Sequence, residues 1–185
     1  MVTKKDLFGK TINEVIKRPT RLEKALNNYD KSTYNERLRR LTYINKIYPK
    51  GLLLAGDMEF VFTFGEIKEC FISGHFIATI ILTQSVIEKI FHDFFIGQNL
   101  EKETKFGISK MIKYARKNNL IHSTILGKVD DLRLKRNPFT HSKDWDYPHS
   151  LSRRTFNSKT QPSDQLEKDA TEAIQVMFYL TTHKL

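Results

Sequence analysis

Two residues of this chain carry the side chains that RNA cleavage without a metal ion requires. Arg136 and His141 are separated by four residues within the segment 132–141, which is Leu-Arg-Leu-Lys-Arg-Asn-Pro-Phe-Thr-His. A guanidinium group binds phosphate in bidentate fashion, and a histidine with an ordinary pKa of about 6.5 transfers protons at neutral pH. Together they suffice for attack of a ribose 2′-hydroxyl on the neighbouring phosphate, which leaves a 2′,3′-cyclic phosphate.

The spacing alone does not identify a site, because about one such Arg–His pair is expected by chance at this composition. Arg116 and His122 form a second pair of similar spacing. The context separates the two pairs. Arg116 belongs to a cluster of cations at the end of a short predicted helix, where solvated charges are common. Arg136 instead continues an apolar stripe along a helix predicted over 120–136, so it requires a partner. The stripe consists of Ile121, Ile125, Val129 and Leu132.

Asn137 and Pro138 are predicted to end this helix, because proline disfavours the α conformation in the residue before it. The stop would direct His141 back towards the helix end that bears Arg136. The alternative interpretation is purely structural. In it, Arg136 forms an ion pair within the core and His141 is an ordinary loop histidine.

A polar strip on another helix supplies a partner for the arginine. Gln84, Glu88 and His92 fall at positions i, i+4 and i+8 of a long apolar segment, so they share one helix face. We expect Glu88 to pair with Arg136 and to orient it. The alternative is a surface strip in which the glutamate and the histidine contact each other.

Two aromatic residues and two further histidines lie near these segments. Trp145 and Tyr147 follow the Arg–His motif, where they either stack on a base or pack over the core. His122 and His149 have no evident chemical partner in the sequence and are expected at the surface or in loops.

The elements that must position these residues are helical. The apolar spacing predicts an all-α, antiparallel helical bundle over 57–185, preceded by a basic helical extension over 1–56. Residues 137–162 contain three of the five prolines and no sustained apolar period, which predicts a long loop.

Within the extension, the sequence predicts two helices. Thr20 or Pro19 opens the first and Thr33 opens the second, and the second ends at Pro49 and Gly51.

The composition limits the classes of partner and site. The net charge is +10, with 13 basic and 5 acidic residues in 1–56 and 14 and 6 in 98–162. Such a surface attracts phosphate backbones, although a lysine-rich surface without a nucleic-acid partner is the alternative.

The single cysteine excludes a disulfide framework and a cysteine-based zinc site, and it fits the cytoplasm. No stretch approaches the roughly 20 apolar residues of a membrane span, and no motif for a cofactor is present.

The motif and the helices around it resemble the HEPN superfamily (higher eukaryotes and prokaryotes nucleotide-binding domain), an all-α family with many ribonuclease members. Segment 136–141, Arg-Asn-Pro-Phe-Thr-His, fits the family's arginine, polar residue, short spacer and histidine. Segments 66–78 and 85–88 resemble its acidic helix start, its aromatic-glycine-aromatic pause and its Ile-Glu pair. The resemblance covers 57–183.

The resemblance implies a metal-independent endoribonuclease with Arg136 and His141 in the active site, Asn137 as a polar helper and Glu88 as an acidic residue of the preceding helix. It also implies RNA as substrate, no cofactor, and a homodimer in which two motifs face one cleft. A toxin–antitoxin or phage-defence setting with a cognate antitoxin follows from the same likeness. The alternative is a non-catalytic HEPN module that binds RNA, nucleotide or a partner protein.

Overall fold

The computed structural model describes residues 2–5, 11–14, 19–52 and 56–183, and in these residues eight helices follow two short strands. The strands are β1 (Val2–Lys5) and β2 (Thr11–Glu14). The helices are α1 (Arg21–Ile47), α2 (Met58–Ser73), α3 (Phe76–Gly97), α4 (Glu101–Thr104), α5 (Ile108–Lys117), α6 (Ser123–Thr140), α7 (Leu151–Ser158) and α8 (Pro162–Thr182). The predicted all-α bundle is confirmed in this set of helices.

The first described residues are extended, whereas the sequence predicted a helical extension over 1–56. β1 and β2 pair in antiparallel, with Val2 opposite Glu14 and Lys5 opposite Thr11. Half of their residues are valine, isoleucine or threonine, whose branched Cβ favours strands. Helix begins only at Arg21.

One continuous helix, α1, replaces the two helices expected in the extension. Thr20 starts it as predicted, because its Oγ1 accepts from Glu23 N at 3.2 Å and its N–H donates to the Glu23 carboxylate at 2.6 Å. This reciprocal pair is a capping box. Thr33 does not open a second helix. Its hydroxyl donates to the Tyr29 carbonyl, four residues back, at 2.9 Å, which is a bond made inside a helix.

The described chain divides into two compact units, residues 1–38 and 39–185. The bundle therefore begins earlier than the boundary at 56/57 that the sequence indicated. The reason lies in the last turns of α1, where Ile44 is fully buried in the hydrophobic core. Tyr43 and Tyr48 also join the core, with ring centroids 6.0 Å from Phe71 and 5.4 Å from Phe178 respectively.

Helix α3 is the centre of the bundle, since it packs against α2, α4, α5, α6 and α8. The core between these helices is rich in phenylalanine and β-branched residues. Its largest fully buried side chains include Phe64, Phe71, Phe91, Phe95, Ile174 and Met177. Helix α2 ends at Gly74, which adopts the left-handed φ of 80° that glycine accommodates without strain. A short connection then leads into α3.

The segment 137–162, predicted as a long loop, is partly helical. Helix α6 continues through Pro138 to Thr140, so the predicted stop at Asn137 and Pro138 is wrong. A proline inside a helix leaves the carbonyl four residues earlier without its usual donor. That carbonyl belongs to Leu134, and the Tyr147 hydroxyl donates to it at 3.4 Å. A residue from the following segment thus replaces the missing hydrogen bond.

Helix α7 is the second helical part of this segment. Ser150 caps it by accepting from Arg153 N at 3.2 Å. Each of its eight described residues keeps part of its surface exposed, so no buried apolar stripe marked it in the sequence. It is instead attached to α8 by charge, because Arg154 Nη1 lies 2.8 and 2.6 Å from the two carboxylate oxygens of Asp169.

Candidate active site

The candidate site lies on the last turn of α6 and is anchored to α3 by an ion pair. Arg136 Nη2 donates to Glu88 Oε1 at 2.7 Å, and its side chain is only 17% exposed. The contact that the sequence predicted between these residues is confirmed. Arg136 Nη1 also donates to Thr140 Oγ1 at 3.1 Å. Glu88 and Thr140 are thus the hydrogen-bond partners of the guanidinium among the described residues.

Glu88 is held in turn by its own helix. Gln84 Nε2 donates to the same Oε1 at 3.3 Å, and Gln84 is 2% exposed. The predicted polar strip therefore includes these two residues. His92 departs from it, because it is exposed and its Nδ1 lies 3.4 Å from the Asp93 carboxylate. A buried amide and a half-buried carboxylate thus fix the direction in which the guanidinium points.

Asn137 contributes its backbone to the last turn. Its carbonyl accepts from His141 N at 2.9 Å and from Thr140 Oγ1 at 3.4 Å. Its half-buried side-chain amide makes no hydrogen bond with the described residues. The contacts at this helix end therefore come from the Asn137 backbone, and its role as a polar helper stays a prediction.

His141 is the first residue beyond the helix. Its backbone is extended, with φ −141° and ψ 139°, and the residue is exposed. Its imidazole makes no hydrogen bond with the described residues. The chain therefore leaves the helix directly at His141, rather than before it as the predicted stop required. Arg136 is fixed in the helix, whereas the histidine is presented to solvent.

Two other cations of α6 are paired with carboxylates. Lys135 Nζ lies 2.7 Å from Asp131, 2.8 Å from Glu172 and 3.6 Å from Asp169. Burial acts to lower the pKa of Lys135, but the hydrogen bonds to Asp131 and Glu172 outweigh it, so that its pKa is raised. Arg133 pairs with Asp130 at 2.7 Å. Arg133 and Arg136 thus each have one carboxylate partner, whereas Lys135 has three.

The second Arg–His pair is placed differently. His122 is the N-cap of α6, and its Nδ1 accepts from Thr124 N at 3.3 Å, which gives this ring a structural role. Arg116 is exposed in the last turn of α5. Both residues line a shallow cavity of about 370 Å³. The pair is therefore a matched control for Arg136 and His141.

A larger cavity lies away from the motif. It has a volume of about 540 Å³ and lies between α6 and α8. Its walls are Ile125, Lys128, Asp131, Leu132, Glu172, Gln175, Val176 and Tyr179. None of the four predicted site residues lines it. The candidate chemistry therefore depends on a helix end at the surface and not on an enclosed pocket.

No family model, curated protein or solved structure matches this chain. The HEPN resemblance therefore remains an interpretation that depends on the residues of this chain alone.

Among the described helices, none has the length and apolar character needed to cross a membrane. The described residues also contain no group of three or more His, Cys, Asp or Glu side chains arranged to hold a metal ion.

Sequence reasoning missed the residues that hold the segment after the motif. Asp169 is fully buried and is contacted by Arg154 and by Gln165 Nε2, the latter at 3.1 Å. Arg154 Nε also donates to the His149 carbonyl at 3.1 Å. The signal was present in α8, where Asp169 adjoins Ala170 and lies four residues before Ala173 on a buried face. A carboxylate on such a face requires a partner, as Arg136 did.

Proposed function

We propose that the chain is a metal-independent endoribonuclease of HEPN type. The observation that carries the proposal is the helix end at which Glu88 anchors Arg136 at 2.7 Å while His141 follows, exposed, at the first position beyond the helix. A fixed cation and an accessible imidazole are the two groups that 2′-hydroxyl attack on phosphate requires.

In the proposed reaction, neutral His141 accepts the proton of a ribose 2′-hydroxyl. The 2′-oxygen then bonds to the adjacent phosphorus and the bond from phosphorus to the 5′-oxygen breaks. The products are a 2′,3′-cyclic phosphate and a 5′-hydroxyl. Arg136 stabilises the negative charge that develops on the phosphoryl oxygens, and Asn137 donates from its side-chain amide to one of them.

The leaving 5′-oxygen also needs a proton. In an in-line displacement it lies on the side of the phosphorus opposite the 2′-oxygen, so the imidazole that takes the 2′-proton does not reach it. We propose that a second copy of the chain supplies it, with two Arg–His motifs facing one cleft across a twofold axis. The setting that fits such an enzyme is a cytoplasmic toxin–antitoxin or phage-defence system with a cognate antitoxin as partner.

The ion pair itself supports a second candidate, a non-catalytic HEPN module that binds RNA, nucleotide or a partner protein. Glu88 neutralises part of the charge on Arg136, and such a pair also serves a purely structural role. In that case the basic segments 1–56 and 98–162 attract a phosphate backbone without cleaving it.

A cleavage assay on labelled RNA distinguishes the two candidates. We expect His141→Ala and Arg136→Ala each to lower cleavage by about 10²-fold or more. RNA binding should survive the histidine change, because the basic segments supply the attraction. Cleavage should persist in EDTA and leave a 2′,3′-cyclic phosphate, since Arg136 supplies the stabilising charge.

The matched controls are Arg116→Ala and His122→Ala, which change the same residue types at a similar spacing. Each should cleave at close to the wild-type rate, after correction for the folded fraction. If the wild type does not cut RNA, or cuts only with added metal, the binding module replaces the enzyme.

A further inference from the structure

Two large aromatic side chains are exposed in the segment that follows the motif. Trp145 is 85% exposed and Phe156, on α7, is 78% exposed. Tyr147, the other aromatic residue beside the motif, is half-buried and donates to Leu134. Two aromatic rings with so much exposed surface in one short segment are candidates for a binding role.

An arginine lies over one ring and shares a helix face with the residue that bears the other. The guanidinium carbon of Arg153 lies 5.9 Å from the centroid of the Trp145 ring. Arg153 and Phe156 are three residues apart on α7 and thus share a helix face. We call Trp145, Arg153 and Phe156 the aromatic platform.

The platform is fixed in position relative to the motif. Tyr147 is attached to α6 through the Leu134 carbonyl, and α7 is attached to α8 through Arg154 and Asp169. Trp145 follows His141 by four residues, so their Cα atoms are at most about 14 Å apart. A strand with its reacting phosphate at His141 therefore reaches the platform within a few nucleotides.

We propose that the aromatic platform stacks unpaired bases of single-stranded RNA beside the Arg–His motif, an inference that depends on the proposed function for its substrate. Aromatic faces stack on any base, and an arginine adds a cation over the ring. Segment 143–153 contains two basic and two acidic residues, Lys143, Arg153, Asp144 and Asp146. Its net charge is therefore zero, and recognition at the platform comes from stacking more than from charge. Paired bases offer no free face, and a duplex is therefore disfavoured.

Trp145 is the only tryptophan of the chain, so its fluorescence reports on the platform alone. The probe is a 2′-O-methyl RNA strand of about twelve nucleotides, within the usual size of single-strand sites. The methyl group blocks 2′-hydroxyl attack, which allows the unmodified full chain to be used. The comparison is the same strand annealed to its complement. We expect the single strand to quench Trp145 and to bind about 10-fold more tightly than the duplex.

Substitutions separate stacking from general attraction. Trp145→Ala and Phe156→Ala should each weaken single-strand binding about 10-fold, measured by fluorescence anisotropy of a labelled strand, because each substitution removes a ring on which a base stacks. Duplex binding should stay unchanged. The control is Phe106→Ala, which removes another exposed phenylalanine with a cation over its ring, Lys110 Nζ at 4.6 Å. It should leave both affinities unchanged.

The proposal is overturned if the single strand binds without changing Trp145 emission, or if Phe106→Ala weakens binding as much as Phe156→Ala. It is also overturned if the emission changes with protein concentration and not with RNA, since the platform would then contact a second copy. A failure of the proposed nuclease activity is distinguishable from these outcomes. If the protein does not cut RNA but RNA quenches Trp145, the stacking proposal holds and the nuclease proposal is wrong. If the protein cuts RNA without quenching of Trp145, the nuclease proposal holds and the stacking proposal is wrong.

Discussion

Glu88 has two opposite effects on Arg136. It fixes the guanidinium by accepting from Nη2, and it also offsets the positive charge that a phosphate requires. The glutamate side chain is 36% exposed, so solvent screens part of this attraction. For catalysis we expect positioning to outweigh neutralisation, because a poorly placed cation stabilises the transition state less.

At the residue scale, we predict that Glu88→Ala lowers the rate of RNA cleavage about 10-fold or more, because Arg136 loses its anchor. Glu88→Gln should retain most of the activity, since its amide oxygen accepts the same hydrogen bond. The measurement is kcat and KM on a defined RNA, with thermal unfolding to confirm the fold. Faster cleavage or tighter RNA binding by Glu88→Ala would show that the carboxylate competes with phosphate instead.

At the scale of elements, the site depends on how α6 and α7 are attached to the rest of the bundle. Helix α7 contributes little apolar burial, and its main attachment is the ion pair in which Arg154 Nη1 contacts both carboxylate oxygens of the buried Asp169. Arg154 also binds the His149 carbonyl, which ties the connecting segment to the same pair. The ion pair therefore positions the residues that follow His141.

We predict that Arg154→Ala lowers the free energy of unfolding by about 3–5 kcal/mol, because it leaves Asp169 buried without its main partner. Urea unfolding followed by circular dichroism measures this loss. The double variant Arg154→Met with Asp169→Leu should recover most of it, since an apolar pair removes the buried charge.

The control for this prediction is Arg37→Ala, which breaks a pair with Asp30 in which both side chains are at least one-third exposed. It should cost at most about 1 kcal/mol. Equal losses for Arg154→Ala and Arg37→Ala would show that the Asp169 charge is already compensated by Lys135 and Gln165.

At the scale of the whole molecule, the basic segments 1–56 and 98–162 and the Arg–His motif have different proposed roles. The basic segments attract RNA, and the motif cleaves it. Residues 1–56 carry 13 basic and 5 acidic side chains and attract phosphate in a way that depends on salt. The motif offers one imidazole and one anchored guanidinium. The proposed reaction needs both a base and an acid, which makes assembly of two copies part of the mechanism.

We predict a homodimer with twice the 21.7 kDa mass of the chain, measured by light scattering during size-exclusion chromatography. If two motifs share one cleft and each supplies one imidazole, mixing the wild type with an excess of His141→Ala should lower the activity below that of the wild type alone, because a mixed cleft contains one imidazole and lacks either the base or the acid. A stable single-copy mass, or a mixture as active as its wild-type share, would contradict the shared cleft.

Local spacing in the sequence was sufficient for the bundle's main features. The period of Phe60, Phe64, Ile67 and Phe71 identified the buried face of α2, because burial of one helix face requires that period. Similar reasoning identified the pair of Arg136 and Glu88, since an arginine on an apolar stripe needs a carboxylate or carbonyl partner. The buried face of α2 follows from side chains that are close in sequence. The pairing of Arg136 with Glu88 follows from the unfavourable free energy of burying an unpaired charge.

Tertiary structure decided the features that depend on contacts between distant residues. Helix α6 passes Pro138 because the Tyr147 hydroxyl reaches the Leu134 carbonyl. Helix α7 is held by Asp169 of α8, and α1 enters the bundle because Ile44 is buried there. Local propensities differ by less than about 1 kcal/mol per residue between most residue types. A hydrogen bond or a buried side chain from elsewhere in the chain contributes a similar or larger free energy, so it decides which conformation the segment adopts.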